Sequence, residues 1–172
     1  MNHHLRDPRL AWLTLRSALA LSVVALSGDQ SRWVGAAGLV GCVWVDALAG
    51  WLARKRNWPR GAFAGPAEML ADFICFVWAP VTWVTARNGG VLVWLAAGVF
   101  VLAGAFRLAR FAVEGLVGGG YRGLPVTYNG YLVPLAGGLV TTVLPYPAWV
   151  WPGVFLGLAA LMVSTRFTVP EF

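Results

Sequence analysis

Six stretches of the chain, at roughly 10–27, 33–53, 69–86, 90–112, 128–145 and 148–165, stay apolar for about as long as a hydrocarbon core is thick. A core of about 30 Å takes roughly 20 residues to cross as a helix, whereas a strand crosses it in about ten and alternates apolar with polar side chains. These runs are continuous rather than alternating, and helices satisfy their own backbone polar groups in lipid. Composition points the same way. Of 172 residues, 59% are hydrophobic and only 12% charged, where a soluble domain carries about 25% charged residues; the mean hydropathy is +0.69. The expected fold is all-α, an integral-membrane bundle of six transmembrane helices in a single domain over residues 1–172. No internal repeat, low-complexity tail or long hydrophilic linker divides it.

Basic residues set an expected orientation. Arg6 and Arg9 precede the first run, Arg54, Lys55, Arg56 and Arg60 follow the second, and Arg122 follows the fourth; the opposite side offers Arg32 and Arg87. The positive-inside bias then puts both termini and the two longer loops, 54–67 and 113–127, on the cytoplasmic side of an inner membrane. A net charge of +6 raises nucleic acid as a partner, but charges beside membrane spans favour anionic headgroups or phosphorylated substrates, and no nucleic acid is expected. Arg16 lies inside the first run, which argues against a cleavable signal. Cys42 and Cys75 lie in expected helices without metal-like spacing and read as buried free thiols.

Three carboxylates fall where solvation does not account for them. Asp46 stands about two turns from the cytoplasmic end of the second helix. Glu68 and Asp72 are spaced i,i+4 near the start of the third, so they share a face. A hairpin of these helices brings all three acids toward one pocket, with Gly50 and Ala53 leaving space beside it. An acid at membrane depth costs a few kcal/mol and marks a partner, a cavity or a site. Two readings follow from residue type: a hard divalent cation bridging to substrate phosphate, or pairing of Asp46 and Asp72 with Arg54, Arg107 or Arg110 to fasten helices. Arg107 and Arg110, at i,i+3, suit a phosphate or a carboxylate, or else snorkel to the interface. "GGGYRGLP" at 118–125 lacks P-loop order and reads as a flexible lid or turn. Trp12, Trp33, Trp58, Trp149 and Trp151 near run ends suit interfacial anchoring. Tyr128 and Asn129 stand where an acceptor or simple packing would use them, and His3 and His4 are terminal and solvated.

The pattern resembles the CDP-alcohol phosphotransferase family. That family carries Asp-x-x-Asp-Gly-x-x-Ala-Arg, a short spacer, then Gly-x-x-x-Asp-x-x-x-Asp on the second and third of six helices. Here "DALAGWLAR" keeps Asp46, Gly50, Ala53 and Arg54 but has Ala49 at the second Asp, and "EMLAD" keeps Asp72 with Glu68 at the third; Ala64 stands at the spacer glycine. "LTLR" at 13–16 looks like the first-helix signature, and "FICFVWAP" at 73–80, "FRLARF" at 106–111 and "YRGLP" at 121–125 look like the serine-transferring branch, in order along the chain. "PVTYNGY" at 125–131 departs from that branch.

The resemblance implies a transferase of phospholipid biosynthesis that moves a phosphatidyl group from CDP-diacylglycerol to the hydroxyl of a small alcohol, serine favoured, releasing CMP. It implies Mg²⁺ or Mn²⁺ held by Asp46, Glu68 and Asp72, with Asp72 also the base. Gly50, Ala53 and Arg54 would receive the cytidine diphosphate, and Arg107 and Arg110 an anionic group of donor or acceptor. It also implies a homodimer, which exposed Gly and Ala faces permit. The alternative is a catalytically silent relative that binds lipid or nucleotide or scaffolds a membrane partner, an outcome that Ala49 favours.

Overall fold

The structure, a computed structural model, describes residues 8–26, 32–58, 63–143 and 149–170. Arg6, Arg60, His3, His4 and the side chain of Arg32 lie outside the described residues, so the charge count behind the orientation is described only in part. Seven α-helices occur among them: α1 (Pro8–Leu26), α2 (Arg32–Lys55), α3 (Ala64–Phe73), α4 (Ala79–Thr85), α5 (Val91–Glu114), α6 (Asn129–Val143) and α7 (Val150–Val163). A five-residue π-helical turn, Ile74–Trp78, joins α3 to α4 into one continuous rod. Helix thus occupies each of the six apolar stretches. Among the described residues four helices are long and apolar enough to cross a membrane: α1, α2, the α3–α4 rod and α5. Helices α6 and α7 run to 15 and 14 residues.

The α3–α4 rod is the centre of the bundle: 50% of its apolar window is buried inside the protein, against 17% for α1. Its neighbours include α1, α2, α5 and α6, while α5 packs along α7 and α1 along α2. Close approach explains this layout. A Cβ at Gly104 of α5 would stand 2.6 Å from Val77 of the π turn, and one at Gly130 of α6 would run into Val43 of α2. The outside of the bundle is apolar instead of charged. Trp44, Leu70, Leu92, Leu102 and Leu139 are all exposed, the reverse of a water-facing surface, where large contiguous apolar patches are rare.

A π turn shifts the backbone ladder by one residue, and such turns recur at functional sites. Here the fully buried Asn129 donates from Nδ2 to the Phe76 carbonyl at 3.1 Å. Packing is therefore the role of Asn129, and it does not line the cavity described below. Buried backbone carbonyls must find partners, and this side chain supplies one from another helix.

Two expectations are corrected. The 118–125 segment is not a loose lid: β1 (Gly120–Arg122) pairs antiparallel with β2 (Thr168–Pro170), and the next residues are clamped on the end of α7. Gly123 donates to Phe167 O at 3.0 Å and Leu124 to Leu161 O at 3.0 Å. Only glycine fits at 123, where φ is +72° and a Cβ would meet Ser164 O at 2.6 Å. Trp151, in turn, is no interfacial anchor. It is buried, edge-on to Trp83 at 6.3 Å between centroids. Trp33 and Trp149 are exposed. Cys42 and Cys75 are buried free thiols.

Candidate functional site

At one end of the bundle, where α2 hands over to α3, a cavity of about 730 Å³ opens. Asp46, Gly50, Ala53 and Arg54 of α2 line it, with Glu68 and Asp72 of α3 and Arg107 of α5. Helical spacing explains the first set: positions 46, 50, 53 and 54 fall on one face of α2. The i,i+4 pair does the same for α3. Ala49 faces the same space with a methyl group. Tyr128 borders the cavity too, as does Pro170 from β2.

The acids are held by arginines of α1. Arg16, 2% exposed, reaches across from mid-helix and donates through one terminal nitrogen to Oδ1 of Asp46 and through the other to Oδ1 of Asp72 at 2.9 Å. The second nitrogen also lies 3.5 Å from the Glu68 carbonyl. Phe76 covers the guanidinium from one side, 5.6 Å from its ring centre. Both cysteine thiols face the Arg16 carbonyl, Cys75 Sγ at 3.6 Å and Cys42 Sγ at 4.0 Å. Arg9, two turns earlier, pairs with Glu68 at 3.6 Å and donates to the Trp58 carbonyl at 2.6 Å, tying α1 to the connection after α2. Pairing of the acids with arginine is thus realised, but by Arg16 and Arg9 and not by Arg54, Arg107 or Arg110.

Arg107 and Arg110 part company. Arg110 donates to the carbonyls of Met162, Val163 and Arg122 at 2.9 to 3.2 Å. It satisfies carbonyls that the last turn of α7 leaves without helical partners, so its work is structural. Arg107 is 4% exposed and lines the cavity. Its guanidinium lies 5.4 Å from the ring centres of both Phe111 and Tyr121. Among the described residues it takes part in no salt bridge, and its Nε has no hydrogen-bond partner. A buried cation without a carboxylate is costly unless something anionic meets it.

A divalent ion does not fit this donor set as it stands. The space between Asp46 and Asp72 holds the Arg16 guanidinium, Glu68 is engaged by Arg9, and Ala49 offers no oxygen. Among the described residues no three His, Cys, Asp or Glu side chains gather closely enough to hold a metal ion. Arg16, Arg9, Phe111 and Tyr121 are the site residues that sequence reasoning missed; Arg16 carried a signal, as a lone base inside an apolar run. No protein-family model matches the chain, and no curated protein matches it.

Proposed function

We propose that the chain is an integral-membrane transferase of the CDP-alcohol type, in which all six helical stretches cross the bilayer and both termini face the cytoplasm. It takes CDP-diacylglycerol into the cavity and passes its phosphatidyl group to the hydroxyl of a small alcohol, serine being favoured by the resemblance of "FRLARF" and "YRGLP". The observation that carries this reading is Arg107: a buried cation that makes no salt bridge among the described residues, opening on a cavity beside three carboxylates, is a place for a phosphate.

The chain's own residues supply the following chemistry. Arg107 and Arg54 offset the negative charge of the diphosphate. Gly50 and Ala53 let the nucleotide end lie close to α2. The acceptor oxygen attacks the lipid-side phosphorus, a new P–O bond forms there, and the P–O bond to CMP breaks with its electron pair leaving on CMP. The hydroxyl proton goes to Asp72, whose carboxylate lines the cavity and pairs with Arg16 through Oδ1. No step is assigned to a metal ion.

The test is CMP release from CDP-diacylglycerol by the detergent-purified chain. Serine, glycerol phosphate, inositol and inositol phosphate are offered separately, beside Asp72→Asn. Release with one acceptor, lost in the variant, supports the transferase. A second reading is favoured by Ala49 and by the arginine-engaged acids: a silent relative that binds CDP-lipid without turning it over. Saturable binding with no CMP release from any acceptor would select it.

A further inference from the structure

The acid cluster already contains a cation, and it belongs to the protein. We infer that Arg16 is the resident counter-cation of the cavity, itself bridging Asp46 and Asp72, so that the site takes its phosphorylated ligand without a metal ion. Only this last clause rests on the transferase reading; the assignment of the cation does not.

Three observations support it. The first is geometry: one guanidinium spans two carboxylates from two different helices, its separate nitrogens each meeting an Oδ1. A planar fork of donors makes such a bridge, and it occupies the volume between the acids that an ion would need. The second is burial. Arg16 is 2% exposed, is roofed by Phe76 and sits in mid-α1, so it has no route to snorkel away and vacate the space. The third is charge. Four guanidinium groups and three carboxylates line the cavity, so it is already one positive charge in excess. An added divalent cation would face like charge at close range, whereas an anionic phosphate meets the excess with the right sign. Ala49 fits the same account: a carboxylate there would cancel the excess positive charge, and the methyl group leaves that excess to an anionic ligand.

The consequence is a cavity that takes up no divalent ion of its own. The experiment titrates Mn²⁺ alone into the detergent-purified full chain and reads free Mn²⁺ by electron paramagnetic resonance. Wild type and Arg16→Lys are expected to take up no stoichiometric Mn²⁺. A stoichiometric Mn²⁺ on wild type that Asp46→Asn abolishes would overturn the inference. Binding of CDP-diacylglycerol to the wild-type sample in excess chelator is read separately. Its absence both with and without added Mg²⁺ removes the transferase reading and leaves the Mn²⁺ result to judge Arg16, whereas binding that appears only with Mg²⁺ contradicts the metal-free site.

Discussion

The two ends of the bundle are built on opposite principles. Around Trp83, Trp151, Phe155 and Phe100 the helices meet through rings, with centroids 5.1 to 6.3 Å apart, and through glycines that let a ring lie against a backbone. Around Asp46, Asp72 and Arg107 they meet through charges at the edge of a large cavity. Filled space makes the first end sensitive to volume. Ion pairs at the edge of open space make the second sensitive to charge. Stability therefore resides mostly in the ring-packed end, and recognition in the charged one.

The contrast can be broken at either end. Phe155→Ala empties a fully buried ring site and should destabilise by about 3–5 kcal/mol, seen as a large fall in the thermal midpoint in detergent. Arg107→Met should do the reverse. Losing charge-assisted hydrogen bonds worth about 1.5–3 kcal/mol weakens CDP-diacylglycerol binding by about tenfold to a hundredfold while the midpoint stays near wild type. Gly137→Leu should cost about 1–3 kcal/mol by overpacking, since a Cβ there already comes within 2.7 Å of the Trp83 ring; ligand affinity should not move. Arg110→Met tests the division between the two arginines: a loss of about 1 kcal/mol from freed carbonyls, with affinity unchanged. The smallest effect belongs to Trp44→Leu on the exposed apolar face, within about 0.5 kcal/mol and silent in binding.

The residues that could be read in advance are those whose meaning lies within one helix. Asp46, Gly50, Ala53 and Arg54 share a face by periodicity, and so do Glu68 and Asp72; continuity of the apolar runs gave the helices. Arg16 was not legible as their partner, because an apolar run tells that a base is present but not which way α1 turns it. The β1–β2 ribbon was equally hidden. Three-residue strands carry no period, and their pairing joins segments far apart in the chain. Trp151 shows the limit of counting from a run's end: it starts a helix whose face is turned to Trp83, and that is decided by packing. The division of Arg107 from Arg110 depends on where α7 ends, which no local pattern in "FRLARF" contains.

Equilibrium binding of labelled CDP-diacylglycerol to the purified chain, wild type beside Arg107→Met and Trp44→Leu, tests the central claim most directly. The account predicts saturable binding to wild type and Trp44→Leu and a loss of at least tenfold in Arg107→Met, with all three equally folded. Equal affinity in all three, or no saturable binding to folded wild type, would contradict a phosphate site at Arg107.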